Sequence, residues 1–214
     1  MSISPKCIIY DWNGTLLNDV DLCYDLLLVL LDRYGLPRIS MDRYKEVFTF
    51  PIIDYYRAVG FNFEKDSYEY MADQIYIPMY NARRHEATLA EGVPALLEKA
   101  KDNQIAQIIV SASEQSLLER QVEHYSLREY FVALYGSRDN YASSKVDMAR
   151  EFLREHDYTA SDVVMIGDTI HDYEIAREIG CECILVASGH QSYERLATTE
   201  ATVVENMNNI IDML

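Results

Sequence analysis

The sequence predicts an α/β protein: a Rossmann-like, mainly parallel sheet core that carries an inserted all-helical domain. Short apolar runs bounded by turn residues recur along the chain, which is typical of buried strands. Beyond about residue 87 these runs alternate with amphipathic helical segments, as in βαβ units of a parallel sheet. Residues 18–86 show helical periodicity and no convincing strand. We therefore expect a core formed by residues 1–17 and 87–214 and a helical insert formed by residues 18–86.

The composition argues against several classes of partner. The 214 residues are 49% hydrophobic and carry a formal charge of −16. An acidic protein of this kind is repelled by nucleic-acid backbones and anionic membrane surfaces, so we expect neither as a partner. The longest apolar patch, residues 26–31, is far too short to span a bilayer, and no signal peptide fits before the first strand.

The four cysteines favour a reducing compartment. Cys7, Cys23, Cys181 and Cys183 lack CxxC or Cys/His zinc spacing and lie in apolar contexts. We therefore expect buried free thiols in a cytoplasmic protein that is a monomer or a homodimer.

The first predicted strand has the clearest chemical signal. Its apolar run, Cys7–Tyr10, stops at Asp11, and Asn13, Gly14 and Thr15 follow as a turn. Ligands of open α/β sheets lie beyond the carboxyl ends of the strands, where Asp11 would fall. A buried carboxylate is costly there unless a metal ion, a lysine or backbone N–H groups pair with it.

The insert is predicted to be a set of amphipathic helices. The first begins near Asp19, capped by Asn18 or Asp19, and ends before Gly35. Further helices are expected over residues 40–48, 51–59 and 64–84, and Pro78 predicts a kink or break in the last. The many tyrosines of this region, such as Tyr44 and Tyr80, are interpreted as packing residues rather than as a ligand cage.

The remainder alternates between strands and helices. Strands are predicted over residues 105–110, 131–135, 162–166, 182–186 and 201–204. Helices are predicted from about residue 93 to 101, over residues 114–125, 145–156 and 172–179, and from Asn206 onward. Ser111 and Asp168 then follow the ends of two strands, as Asp11 does. Parallel strands bring such residues to one rim of the sheet, so we expect the three side chains to lie close together.

These residues carry a resemblance to a known family. In chain order the segments are Asp11-Trp12-Asn13-Gly14-Thr15, Ser111, Lys145, and Gly167-Asp168-Thr169-Ile170-His171-Asp172. They resemble the four motifs of the haloacid dehalogenase-like (HAD) hydrolases, most closely the phosphoglycolate-phosphatase-like group with a helical cap inserted after the first motif. The resemblance covers nearly the whole chain, and the order of the motifs around an insert of this size makes it specific.

The resemblance implies a Mg²⁺-dependent phosphatase that acts on a small phosphorylated metabolite. Asp11 would attack phosphorus and form an aspartyl-phosphate, which water hydrolyses. The implied catalytic residues are Asp11, Asn13, Ser111 and Lys145. The implied phosphate-binding residues are Trp12, Asn13, Ser111, Ala112 and Lys145. The implied metal ligands are Asp11, the backbone carbonyl of Asn13, Asp168 and Asp172, the last directly or through water. Three carboxylates would then face Mg²⁺ and one lysine, so the charges nearly balance.

One position departs from the family pattern. Phosphatases of this family have a second aspartate two residues after the nucleophile, which protonates the leaving group and activates water. Here Asn13 stands at that position, and an amide cannot shuttle a proton. Since general acid–base catalysis contributes roughly 10²- to 10⁴-fold, the enzyme is slow, specialised, helped by another group, or inactive.

Asn13 is also compatible with two functions other than phosphatase activity. Phosphonoacetaldehyde hydrolases of the same family also have Asp-Trp-x-Gly-Thr with a non-acid at this position, and a cap lysine activates their substrate as a Schiff base. Lys45 lies at about the right distance along the chain for that role. A relative that binds phosphate without catalysis is the other alternative. Some residues also have structural interpretations: Thr169 and Asp172 fit a helix capping box, and His171 is interpreted as a rim residue.

Overall fold

The computed structural model describes residues 3–137 and 145–214. Residues 1–2 and 138–144, which belong to the predicted core, lie outside the described residues. The strands of the described part are β1 (Cys7–Tyr10), β2 (Leu17–Asn18), β3 (Thr88–Leu89), β4 (Ala106–Glu114), β5 (Ala133–Ser137), β6 (Val163–Gly167), β7 (Glu182–Val186) and β8 (Thr202–Val204). Six of them form a parallel sheet in the order β5-β4-β1-β6-β7-β8. The predicted fold class is confirmed.

The insert is a group of helices that lies between β2 and β3. They are α1 (Val20–Tyr34), α2 (Met41–Val47), α3 (Ile52–Ala58), α4 (Tyr68–Met71) and α5 (Ile77–Arg83). The short strands β2 and β3 pair antiparallel at the base of the insert, a pairing that the sequence analysis did not predict. The assignment of residues 18–86 as a separate domain stays a prediction.

The helices that cover the sheet come from the rest of the chain. They are α6 (Val93–Asp102), α7 (Gln115–His124), α8 (Lys145–Glu155), α9 (Ile170–Ile179), α10 (Tyr193–Leu196) and α11 (Met207–Ile211). Central strand β1 is buried on both faces, as expected for a parallel sheet. Ile8 and Tyr10 pack in one apolar cluster, while Cys7 and Ile9 pack in the other, because side chains alternate along a strand.

Several local predictions agree with the structure. Ser40 caps α2 by accepting a hydrogen bond from the Arg43 N–H, and Gly35 ends α1 in the left-handed conformation. Pro78 follows a π-helical segment, Ala72–Tyr76, which joins α4 to α5. The missing N–H of proline is accommodated there by a wider turn instead of a break.

Two local predictions were wrong. The strand expected to stop at Ser111 continues to Glu114, with a shift of register against β5 between Val110 and Glu114. Asp19 occupies the N-cap position of α1, but its side chain makes no capping hydrogen bond. Its carboxylate is used at the candidate site instead, as described below.

All four cysteines are free, with Cys7 and Cys183 buried and Cys23 and Cys181 half-buried. Over the residues that the structure describes, no helix combines the length and apolarity needed to cross a bilayer.

Candidate active site

Adjacent strands bring the predicted acids together. Asp11 follows β1 and Asp168 follows β6, and β1 pairs with β6 in parallel up to Tyr10 and Ile166. The Asp11 N–H donates to the Ile166 carbonyl at 2.9 Å, which fixes the chain as it leaves the sheet. Asp172 joins them from the first turn of α9, and carboxylate oxygens of Asp11, Asp168 and Asp172 lie within 4.8 Å of one another.

The predicted capping box explains the position of Asp172. The Thr169 N–H and hydroxyl both donate to Asp172 Oδ2, at 3.1 and 2.7 Å. This leaves Oδ1 of Asp172 facing the cluster, where it accepts from Lys145 Nζ at 3.1 Å. The structural and the functional interpretation of this residue are therefore compatible.

Lys145 is the buried cation of the cluster. Its Nζ lies 2.8 Å from Asp11 Oδ1 as well as 3.1 Å from Asp172 Oδ1, and its side chain is only 5% exposed. Burial lowers the pKa of the ammonium group, but Asp11 and Asp172 more than offset this and hold the pKa above its usual value. Lys145 is therefore charged, and it is not a solvated surface lysine.

One lysine does not balance three buried acids. Burial raises the pKa of Asp11, with Lys145 opposing, and burial likewise raises the pKa of Asp168, with His190 opposing. Burial opposes ionisation of Asp172 too, but Lys145 and Thr169 hold its pKa below the usual range. The donor set is entirely oxygen, which is what Mg²⁺ and similar hard cations prefer. The acidic cluster therefore fits a divalent metal ion, which would supply the missing positive charge.

Asp168 is held on both oxygens. Thr15 Oγ1 donates to Oδ1 at 2.9 Å, and the His190 N–H donates to Oδ2 at 2.7 Å. The first-motif turn packs directly on this carboxylate: a Cβ built on Gly14 would lie 2.3 Å from Asp168 Oδ2. Gly14 also has φ +75°, which disfavours any other residue. Glycine is required at this position by both conformation and space.

Asn13 is fixed by three hydrogen bonds. Its Nδ2 donates to Asp19 Oδ2 at 2.7 Å and to the Tyr80 hydroxyl at 3.0 Å, while its Oδ1 accepts from Ser113 Oγ at 2.6 Å. The Asp19 carboxylate requires a donor at this point. An amide meets that requirement, whereas a second carboxylate would be repelled.

The other residues predicted to bind phosphate are Ser111, Ala112 and Trp12, and they differ in how accessible their side chains are. Ser111 is buried, and its Oγ accepts from the Ser113 N–H at 3.1 Å. Ala112 is exposed beside it. The Trp12 side chain is buried in the core, where Nε1 donates to Gln121 Oε1 at 3.0 Å, so only its backbone is available to a phosphate.

Sequence reasoning missed a set of residues that surrounds Asn13. Asp19 accepts from the Gly14 N–H at 3.0 Å and from the Tyr80 hydroxyl at 2.8 Å, and lies 3.4 Å from His190 Nε2. Tyr44 of the insert reaches His190 Nδ1 at 2.8 Å. Tyr44 and Tyr80 therefore join the insert to the core as well as packing inside it.

The insert is closed over the site. Arg195 Nη1 donates to the carbonyls of Glu46 and Phe48, each at 2.6 Å, and Gln191 Nε2 donates to the Phe48 carbonyl at 2.8 Å. The Phe48 ring stacks on His190 with ring centres 4.5 Å apart. Only 7% of Asp11 is exposed in this arrangement.

Two other residues that the sequence analysis singled out lie near the contact between the insert and the core. His171 stacks on Phe50 with ring centres 4.8 Å apart and has a partly exposed side chain, in agreement with a rim position. Lys45 is half-buried on α2. Its neighbour Tyr44 is the residue of α2 that hydrogen-bonds to His190.

Comparison with known proteins decides the family. The family model described as haloacid dehalogenase-like hydrolase matches residues 8–186. The chain belongs to the haloacid dehalogenase-like hydrolases. The predicted family membership is thereby confirmed, and with it the assignment of the chain as a hydrolase of this family.

Individual relatives are distant. The chain is 24% identical over 214 residues to the tyrosine-protein kinase PtkA of Mycobacterium tuberculosis, covering 98% of this chain and 72% of that protein. It is 26% identical over 199 residues to a 5′-nucleotidase of Pseudomonas aeruginosa, covering 91% and 88%. A predicted phosphatase from Clostridium acetobutylicum has the same fold, with a TM-score of 0.79, 23% identity and 98% of each chain covered.

Proposed function

We propose that this protein is a Mg²⁺-dependent phosphatase that acts on a small phosphorylated metabolite through an aspartyl-phosphate on Asp11. The observation that carries the proposal is the meeting of Asp11, Lys145, Asp168 and Asp172 at one sheet edge. All four residues lie within residues 8–186, the segment that matches the family model, and the resemblance implies a role at the site for each of them. Asp11, Asp168, Asp172 and the Asn13 carbonyl would hold Mg²⁺, which would offset the repulsion between an anionic phosphate and these carboxylates.

The side chains would have separate roles in phosphoryl transfer. Lys145 Nζ binds Oδ1 of Asp11, which orients the carboxylate, and the other oxygen, Oδ2, would attack phosphorus. The phosphoryl oxygens would be bound by Ser111, Lys145 and the backbone N–H groups that follow Asp11 and Ser111. Thr15 and the His190 N–H hold Asp168 in place and play no part in bond making.

Asn13 restricts the substrates that this site can turn over quickly. Its amide is held by Asp19 and Ser113 and has no proton to give to a leaving alkoxide. Substrates whose leaving group departs without protonation should therefore react well, and simple alkyl phosphates should react slowly. The closed insert favours a small substrate. A cytoplasmic location, and a monomer or homodimer, remain proposals.

A panel of phosphorylated metabolites, assayed with and without Mg²⁺, tests the proposal. Phosphate release from at least one member should require Mg²⁺ and should be abolished by Asp11→Asn. This variant keeps the shape of the side chain but removes the nucleophilic oxygen. Release that survives Asp11→Asn, or that is indifferent to Mg²⁺, would contradict the proposal.

Phosphoryl transfer to a hydroxyl acceptor is a second candidate. Asn13 cannot act as a base on water, which would prolong the life of a phosphoryl group on Asp11. The similarity to a protein named as a tyrosine-protein kinase favours the same alternative. Labelled ATP incubated with a tyrosine-containing peptide distinguishes the two: a labelled peptide supports transfer, and labelled inorganic phosphate alone supports hydrolysis.

A further inference from the structure

A second cluster of side chains that could bind a metal ion lies beside the acidic one, and none of these side chains makes or breaks a bond in the proposed phosphoryl transfer. It consists of Asp19, Cys23 and His190, whose donor atoms lie within 4.8 Å of one another. Asp19 and Cys23 are one turn apart at the start of α1, where the Cys23 N–H bonds to the Asp19 carbonyl at 2.9 Å. His190 comes from the loop after β7. The donors are one carboxylate oxygen, one thiol sulfur and one imidazole nitrogen.

Two of the donors each lie at a tetrahedral ligand spacing from one of the two Asp19 oxygens, and the three residues offer donor atoms within 4.8 Å of one another. His190 Nε2 lies 3.4 Å from Asp19 Oδ1, and Cys23 Sγ lies 3.5 Å from Asp19 Oδ2. Zinc–ligand bonds of about 2.0 Å to N or O and 2.3 Å to S place tetrahedral donors roughly 3.3 to 3.6 Å apart. The Asp19 carboxylate also accepts hydrogen bonds from Asn13, Tyr80 and Gly14 at 2.7 to 3.0 Å, which fix its position.

Each donor residue also has a hydrogen-bonding partner that orients it. The Tyr44 hydroxyl bonds to Nδ1 of His190, which leaves Nε2 turned toward the cluster. The Tyr76 hydroxyl donates to Cys23 Sγ at 3.3 Å. Asp19 is held by Gly14, Asn13 and Tyr80. Such outer partners are typical of metal sites, where they fix tautomer and side-chain direction.

The charges are compatible with a divalent ion. Burial opposes ionisation of Asp19, but His190, Asn13 and Tyr80 hold its pKa below the usual value, so it is a ready anion. Burial holds the pKa of Cys23 well above normal, so the thiol is protonated until an ion displaces the proton. Burial lowers the pKa of His190, but Asp19 and Asp168 hold it above its usual value, so the imidazole would also release a proton when the ion binds. One carboxylate, one thiolate and neutral imidazole would then balance the charge of the ion, as a buried site requires.

We propose that Asp19, Cys23 and His190 form a second metal site, which takes a borderline transition-metal ion of the Zn²⁺ class. The sulfur and nitrogen donors distinguish it from the all-oxygen cluster of Asp11, Asp168 and Asp172, which suits Mg²⁺. Three protein donors leave a fourth position open, as in zinc sites with three protein ligands. A bound ion would tie the first turn of α1 to the loop after β7 and hold the insert closed.

Cobalt substitution tests the site directly. The intact protein is titrated with Co²⁺ in excess Mg²⁺, which fills the acidic cluster. We expect one Co²⁺ per chain to produce the near-ultraviolet sulfur-to-cobalt charge-transfer band. Cys23→Ala should abolish this band, and Cys181→Ala, the matched change of a half-buried cysteine, should keep it. His190→Gln should weaken Co²⁺ binding by at least about tenfold.

A second measurement uses the unmodified chain, so its result does not depend on whether the variants fold. Zn²⁺, again in excess Mg²⁺, should slow the alkylation of Cys23 and leave that of Cys181 unchanged, as mass spectrometry of the peptides would show. Absence of the charge-transfer band in the intact protein would overturn the proposal. So would a band that persists in Cys23→Ala, or alkylation of Cys23 at the same rate with and without Zn²⁺.

Discussion

Replacing Asn13 with aspartate tests how the site supplies protons. The new carboxyl group would face Asp19 Oδ2 at the position of Asn13 Nδ2, which lies 2.7 Å from it. Two charges at that separation repel by about 6 kcal/mol at an effective dielectric of 20. That repulsion raises the pKa of the pair, so the pair would hold one proton more tightly than an isolated carboxyl group does. The retained proton is available to a leaving alkoxide.

We therefore expect Asn13→Asp to raise kcat at least tenfold on simple alkyl phosphates. General acids contribute roughly 10²- to 10⁴-fold, and repulsion from Asp19 removes part of that gain. The same variant should change kcat little on p-nitrophenyl phosphate, whose leaving group departs without a proton. Steady-state phosphate release on matched substrates measures both effects.

A double variant isolates the contribution of Asp19. Asn13→Asp combined with Asp19→Asn removes the repulsion, so the carboxyl at position 13 loses its proton at a lower pH. A general acid works only while protonated, so activity on alkyl phosphates should fall at lower pH in the double variant than in the single one. Unchanged turnover in Asn13→Asp, while Asp11→Asn is inactive, would refute this reasoning and show that another group supplies the proton. An equal gain on both classes of substrate would refute it as well.

Two further substitutions and one trapping experiment probe the site. Lys145→Met leaves two buried carboxylates without their cation and should lower the free energy of unfolding by about 3–5 kcal/mol in urea without Mg²⁺, with partial recovery when Mg²⁺ is added; no loss would mean that the lysine is not buried. Gly14→Ala should weaken Mg²⁺ binding at least about tenfold in calorimetry, because its Cβ would displace Asp168; unchanged affinity would contradict the close packing. Borohydride with phosphonoacetaldehyde should leave Lys45 unmodified by mass spectrometry, and an adduct there would favour C–P bond cleavage instead.

The fold and the central acids could be predicted because each depends on a local pattern. The apolar runs before Asp11 and Asp168 predict parallel strands, and parallel strands bring their carboxyl ends to one edge. Thr169 and Asp172 form the capping box that their spacing indicates. The position of Lys145 followed from the resemblance to the family and not from its local sequence, which is that of a surface helix.

The surroundings of Asn13 could not be predicted, because they depend on long-range packing. His190 approaches Asp19 from the far end of the chain, and Ser113 reaches Asn13 only because β4 continues past the predicted end at Ser111. Asp19 has the sequence signal of an N-cap, yet its side chain makes no cap bond. A residue that departs from its local preference in this way marks a functional region, and the signal becomes visible only once the fold is known.

Covalent phosphorylation of Asp11 tests the central claim most directly. The protein is mixed with a substrate from the metabolite panel and Mg²⁺, quenched with acid within one turnover, and digested for mass spectrometry. The account predicts a phosphoryl group on the peptide that contains Asp11, lost on treatment with hydroxylamine and absent when Mg²⁺ is withheld. A productive turnover that leaves Asp11 unmodified, or that places the phosphoryl group on another residue, would contradict it.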